Sequence, residues 1–367
     1  MLNGIKILDF SRVLAGPLAT MMLGDLGADV IKVERPGAGD ETRAWGPPYD
    51  DRGESAYYLS VNRNKLSVAA DLDSPGDRGL LDGLISGADV VVDNFRPTAL
   101  ERRGLDPNRL VAQHPRLVWC TISGFGPASD RPGYDFVVQA ECGWMAITGE
   151  PGGDPMKVGV ALADVVAGKD AAIAVLAALI ARSTTGRGRR IHVSLAASAA
   201  AALVNVAQNS LVTGRDAERL GNAHPNLVPY DLFPTADRPI VIAVGTEAQW
   251  QNLVRALDLP DLAKDAALIS NAGRLANRDR VVGALSRRLR TRPASAWRRL
   301  LDDAGVPNGS VKSVLEALRE VGASPLTGVA PSTGGAVRRP PPRLDEHGAA
   351  IRRSGWDAFG ETKPWPR

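Results

Sequence analysis

The chain has 367 residues, 44% hydrophobic and 23% charged, a composition of soluble globular proteins at a length that favours two domains. Its 44 basic against 41 acidic residues leave a net charge of +3, too small to argue for nucleic acid but compatible with arginines concentrated around an anionic ligand. Cys120 and Cys142 lack C-x-x-C spacing, which excludes a disulfide framework or thiolate metal site and points to a reducing, cytoplasmic setting.

Ile5–Phe10 is a short β-type run, followed by the turn Ser11–Gly16, a helix over Leu18–Leu26 and a second strand over Ala28–Glu34. Strand, turn, helix and strand in this order open an α/β unit with a parallel sheet. Pro17 suits a first helical turn, and Gly27 a helix stop. The turn after the first strand lacks G-x-G-x-x-G, so a nicotinamide cofactor is not expected. Further strands are expected over Lys65–Leu72, Ala88–Asp93, Leu117–Ile122 and Arg190–Ser194. Helices are expected from Ser74 to about Ser86, over Ala99–Arg103 and over Phe136–Ala146. Met156–Val160 reads as an extended segment entering a long helix that includes Ala171–Arg182. The uncharged run Ser194–Gly214 could span a bilayer by length, but Gln208, Asn209 and Ser210 interrupt it. It reads as a buried amphiphilic helix, with no membrane partner expected. Beyond Arg215 come a turn-rich connector, strands over Tyr230–Phe233 and Ile240–Val244, and Arg-rich helices. These form a smaller α+β domain, and a Gly-, Pro- and Arg-rich tail begins at Ser332.

The four histidines, His114, His192, His224 and His347, stand singly, so no metal is expected. No G-x-S-x-G elbow is present. Carboxylate chemistry remains. Asp164 is the best-placed nucleophile candidate, with Asp135 and Glu247 as secondary ones. Asp164 sits at a helix start, where free N–H groups favour an ionised carboxylate, although a plain capping role accounts for many acids in such places. Arg12, Arg35, Arg96, Arg102 and Arg103 cluster at the C-terminal ends of expected strands. Open parallel sheets bind ligands there, and guanidinium groups suit a polyphosphate.

Several segments together resemble the class III CoA-transferase family (the CaiB/BaiF type), which includes formyl-CoA transferase, carnitine CoA-transferases and α-methylacyl-CoA racemases. They are Leu8-Asp-Phe with Arg12-Val-Leu-Ala-Gly-Pro17, Leu26-Gly-Ala-Asp-Val-Ile-Lys-Val-Glu34, Asn94-Phe-Arg-Pro97, Gly133-Tyr-Asp135, Gly159 to Gly168 around Asp164, Thr185-Gly-Arg-Gly188, and Pro342-Arg-Leu-Asp-Glu-His347. The resemblance implies an acyl-CoA:carboxylate CoA-transferase in which Asp164 is the nucleophile and passes through an aspartyl-CoA thioester. Acyl-CoA is then a substrate, a carboxylic acid the acceptor, and neither metal nor NAD takes part. It implies CoA contacts at Val13 and Leu14 near the adenosine and at Arg35, Asn94, Phe95 and Arg102, with Tyr134 close to the thioester. Asp73 stands where some relatives carry a lysine, which leaves Arg96 as the substitute phosphate contact. The long glycine-rich loop of formyl-CoA transferase is missing, so formyl or oxalate specificity is not favoured. Backbone N–H groups near Gly143 or Gly245 are candidate oxyanion donors.

Two other readings remain at this stage. A racemase needs a proton relay beside the thioester; racemases carry His-Asp where this chain has Tyr134-Asp135, and tyrosine is a poor base at neutral pH. Glu247 matches an acid seen in racemases. The third reading is a CoA-binding protein without catalysis. The resemblance further implies an interlocked homodimer. Each chain would have a large Rossmann-like domain, residues 1–214 and 326–367, and a small domain with linkers, residues 215–325.

Overall fold

The structure, a computed structural model, describes residues 1–362. Its contacts divide the chain into two compact units. One comprises residues 1–144, 157–204 and 318–362, the other residues 145–156 and 205–317.

Six strands form the sheet of the first unit: β1 (Lys6–Asp9), β2 (Asp29–Glu34), β3 (Lys65–Ala69), β4 (Val90–Asp93), β5 (Val118–Ser123) and β6 (Arg190–Ser194). All neighbours pair in parallel, in the order β3-β2-β1-β4-β5-β6. This is the doubly wound order, whose direction reverses between β1 and β4 and leaves a crevice at the strands' C-terminal ends. Period-two alternation fills both faces. Ile7, Val30, Val90, Val92, Val118 and Cys120 face one apolar layer; Leu8, Ile31, Leu66, Val68, Val91 and Trp119 face the other.

The first layer is closed by the helices Ala15–Asp25 and Leu162–Thr185. They approach so closely that a Cβ on Gly168 would lie 2.6 Å from the carbonyl oxygen of Ala15. Only glycine allows that approach. The second layer is closed by Pro75–Ser86, Pro107–Gln113 and the late helix Gly348–Ser354.

The tail is integral to this unit. Asn64 Oδ1 accepts the backbone N–H groups of Arg338 (2.6 Å) and Arg339 (2.9 Å). Ala69 N donates to Asp345 Oδ1 at 2.7 Å and His347 N to Ser67 O at 3.1 Å, which covers the exposed edge of β3. Ile351 is fully buried, and Trp356 donates Nε1–H to Leu84 O at 3.0 Å. Burying an isoleucine side chain alone stabilises the unit by about 2 kcal/mol.

The second unit contains β7 (Tyr230–Phe233), β8 (Ile240–Ala243) and β9 (Asn308–Ser310) in an antiparallel sheet of order β7-β8-β9. Its core gathers around Trp250 and Trp297.

Several boundaries depart from the sequence expectation. The expected helix Phe136–Ala146 is two, Asp135–Glu141 and Trp144–Ile147, separated where Gly143 takes φ +87. The expected helix Ala99–Arg103 is a single 3₁₀ turn, Glu101–Arg103, stopped by Gly104 at φ +68. The run Ser194–Gly214 is not one buried helix. Ser194 ends β6 and caps the helix Leu195–Ala201, and a second helix, Val204–Thr213, leaves Leu211 and Val212 more than 70% exposed in the single chain. Among the described residues, no single helix is long and apolar enough to cross a membrane.

Candidate active site

The crevice is built from the turns that follow β1 and β4. Arg12 N donates to Asn94 Oδ1 at 2.9 Å, and Asn94 Nδ2 donates to Arg12 O at 2.7 Å, joining the two turns reciprocally. Val13 adopts φ +70, a left-handed conformation that costs a β-branched residue energy and persists only where its surroundings hold it. The holding groups are buried ions. Val13 N donates to Asp40 Oδ1 at 3.3 Å, Lys32 Nζ lies 2.9 Å from Asp40 Oδ2, and the same Nζ donates to Ser11 O at 2.7 Å. Beside them Asp9 accepts from Ser11 N, Thr20 Oγ1 and Lys65 Nζ. Burial pushes the Asp9 carboxyl up, but the charges of Lys65 and Lys32, together with hydrogen bonds from Ser11 and Thr20, outweigh it and hold the group at about 2. Burial in turn lowers Lys65 to about 8, against the pull of Asp9.

Two cavities open on this crevice. The larger, about 480 Å³, is lined by Arg35, Arg102 and Arg103 together with Arg12, Phe95 and Arg96. The second, about 270 Å³, is lined by Val13, Leu14, Asn94, Tyr134 and Asp164, and again by Arg12, Phe95 and Arg96. The expected CoA-contact residues of the first unit therefore line these two cavities, with Val13 and Leu14 on the one that holds Asp164. Arg12 stacks over Phe95, its guanidinium carbon 5.0 Å from the ring centroid, and pairs with Glu41 at 2.6 Å. Asp73 is matched by Arg103 at 3.1 Å. Arg96 and Arg102 have no ion pair among the described residues.

Asp164 lies in the first turn of the helix Leu162–Thr185, but it does not cap that helix. Asp135 does, from a different segment. Its Oδ1 accepts Ala163 N at 2.8 Å and Asp164 N at 3.4 Å, while its Oδ2 accepts Gln139 Nε2 at 2.7 Å. Gln139 Oε1 in turn accepts Val158 N at 2.8 Å, which fixes the strand-like entry to the helix. With its helix capped from elsewhere, the Asp164 side chain faces the cavity and accepts no hydrogen bond among the described residues. Burial, and then the neighbouring charge of Asp135, push its carboxyl up to about 7. The helix start favours the ionised form of Asp164, while desolvation and the like charge of Asp135 work against it.

Tyr57 escaped sequence reasoning. Its phenol is pushed up to about 12 by burial and by the charges of Asp164, Asp135 and Asp40, so it feels the field of the nucleophile candidate and stays neutral. Its ring meets Trp45 edge-on, with centroids 5.1 Å apart. Nothing in Ala56-Tyr-Tyr-Leu59 distinguishes it from its fully buried neighbour Tyr58. The ionic support under Val13 had a visible signal: charges at Asp9, Lys32 and Lys65 within strands otherwise read as apolar.

Glu247, the other secondary candidate, belongs to the second unit. It accepts from Arg274 Nη1 at 2.5 Å and from Asn271 N at 2.9 Å. The hydrogen bond and charge of Arg274 keep its carboxyl below the usual range, so it is a poor proton acceptor. Glu247→Gln is expected to destabilise the second unit by about 1–3 kcal/mol, because Arg274 is buried and loses its counter-charge. A thermal melt of the variant measures this, and an unchanged midpoint would refute it. Among the described residues, no group of His, Cys, Asp and Glu could hold a metal ion.

Residues 2–353 match the family model for CoA-transferase family III. The chain is 41% identical to human succinyl-CoA:glutarate CoA-transferase over 94% of its length and 84% of that protein. It is 37% identical to the acetyl-CoA:oxalate CoA-transferase of Acetobacter aceti, covering 96% of this chain and 95% of the other. A crystal structure of a CaiB/BaiF family protein from Brucella suis superposes with a TM-score of 0.83 at 38% identity, covering 96% and 98% of the two chains.

Proposed function

The chain belongs to CoA-transferase family III, and from that premise we propose that it moves CoA from an acyl-CoA to a short dicarboxylic acid through a thioester on Asp164. The observation that carries this reading is a half-buried carboxylate that accepts no hydrogen bond among the described residues, in a cavity joined through Arg12, Phe95 and Arg96 to a larger one rich in arginine. Arg35, Arg96 and Arg102 take the phosphates of CoA, and the thioester end lies between Asn94, Tyr134 and Asp164. The dicarboxylate rests on the relative named for glutarate; the relative named for oxalate runs against the expectation, drawn from the missing glycine-rich loop, that oxalate is not favoured.

Ionised Asp164 attacks the thioester carbonyl, and the C–S bond breaks to release CoA thiolate and a mixed anhydride. The thiolate attacks the Asp164 carbonyl, and the donor acid leaves as its carboxylate. The acceptor carboxylate then attacks the aspartyl thioester, again expelling thiolate, which attacks the acceptor's carbonyl and frees Asp164. Each covalent step retains the activation of the original thioester. Burial, which raises the basicity of Asp164, also limits water that would hydrolyse the anhydride.

The test is to mix the enzyme with succinyl-CoA, quench in acid and weigh the intact protein. A CoA adduct that maps to Asp164 and is discharged by glutarate is expected. Steady CoA exchange without any adduct on Asp164 would overturn the covalent route. We also propose that the protein is a homodimer. Ile173 and Ile180 on the Asp164 helix are 64% and 71% exposed in the single chain, an uncommon state for isoleucine on a long helix. Sedimentation should then give twice the chain mass.

A further inference from the structure

Three guanidinium groups line the cavity that holds Asp164: Arg12, Arg96 and Arg131. Arg12 and Arg96 also line the larger cavity, and Arg12 is already closed on Glu41. Arg131 lines the Asp164 cavity alone. Its planar fork is presented to a carboxylate: Nη1 donates to Glu141 Oε2 at 2.9 Å and Nη2 donates to Glu141 Oε1. The guanidinium carbon lies 4.2 Å from the centroid of Phe125, so the ring holds the orientation of the fork.

A plain structural role for this pair is to tie the loop 124–133 to the helix Asp135–Glu141. The loop has firmer ties. Gly126 N donates to Ser123 Oγ at 3.0 Å. The two ends of the loop are pinched together, since a Cβ on Gly124 would lie 2.4 Å from the Cα of Gly133. The side chains of Arg131 and Glu141 are 56% and 43% exposed, and an ion pair so open to water contributes little to stability. Its geometry nevertheless is the bidentate one that Arg offers to any carboxylate.

Resting on the transferase reading above, we propose that Arg131 receives the distal carboxylate of the dicarboxylic substrate, displacing Glu141 from the fork. The exchange conserves both N–H···O bonds while the other carboxyl of the substrate stands at Asp164. An acid ending in a methyl group cannot make the exchange, and leaves its apolar end against an intact ion pair. Selectivity thus arises from an attractive contact and from the competitor that guards it. Arg131 is a specificity residue, and Glu141 its gatekeeper.

The test compares glutarate with valerate as acceptors, with succinyl-CoA as the donor in both, so that any change in the donor half-reaction cancels. In Arg131→Gln the ratio of kcat/KM for glutarate over valerate is expected to fall at least about tenfold. Arg131→Lys, which keeps the charge and loses the fork, falls between. Glu141→Gln, which removes the competitor, is expected to lower KM for glutarate about two- to fivefold and leave KM for valerate less affected. A ratio in Arg131→Gln within about twofold of the unmodified enzyme overturns the assignment. If that variant fails to fold, Glu141→Gln decides, and an unchanged or raised KM for glutarate overturns it. An unmodified enzyme that transfers CoA to no acid at all removes the transferase reading, which distinguishes that failure from the failure of Arg131 alone.

Discussion

Asp164→Asn is expected to lower CoA exchange by at least about 10³-fold, because the amide cannot form the anhydride and the remaining binding groups only hold the reactants together. The same substitution should stabilise the fold, with a definite pH dependence. In an unfolded chain the aspartate loses its proton near 3.8, whereas in the native protein it does so near 7. Ionisation therefore works against the native state. The penalty is absent below about pH 4, grows up to about pH 7 and is constant above, reaching on the order of a few kcal/mol. Asparagine removes it. The variant should melt several degrees higher than the unmodified protein at pH 8 and at the same temperature near pH 4, as read by calorimetry at the two pH values. Equal melting at both would show that burial does not perturb the group. Activity and stability are opposed at one side chain, as expected where a site holds a desolvated charge.

Asp135 is the second point of large effect, and two substitutions separate its roles. With Asp164 half-ionised near neutrality, kcat/KM should rise with pH through about 7. Asp135→Asn keeps an oxygen that accepts Ala163 N but removes the like charge, so the midpoint should move to lower pH with the plateau largely retained. Asp135→Ala removes the cap as well. Two helix-start N–H groups and Gln139 lose their partner, at a cost of about 1–2 kcal/mol in stability. The nucleophile is then free to drift, and a displacement near 1 Å costs about 10²-fold in rate. A pH–rate profile of the two variants checks this. A midpoint that stays put in Asp135→Asn would mean that desolvation alone sets the ionisation of Asp164.

Much of this arrangement was legible from local pattern. The strands announced themselves as short apolar runs bounded by turn residues, and a parallel sheet fixes its ligand crevice by strand order alone. Arginines after β1, β2 and β4 could be read as one cluster before any geometry was known. Asp164 was legible as a residue at a helix start, but its capping partner was not. Asp135 is 29 positions away, and no local periodicity encodes a cap supplied by another segment. The desolvation that raises its pKa likewise arises from packing of distant elements. Tyr57 was hidden for the same reason. The single-helix reading of Ser194–Gly214 failed because apolar composition cannot register the break at Ala202-Leu203, after which Val204 takes φ +36.

The intervening residues 205–317 separate the early strands of the first unit from the late segment that completes it. Ile351 and Trp356 belong to the same apolar layer as Leu8 and Leu66, and that layer is open until they arrive. During synthesis, therefore, a sheet of parallel strands emerges first and must wait for nearly the whole chain before one of its faces is sealed. Non-local closure of this kind is slow and leaves apolar surface exposed meanwhile. A chain truncated before Ile351 is expected to sediment with the insoluble fraction, although every residue of the catalytic crevice is present in it.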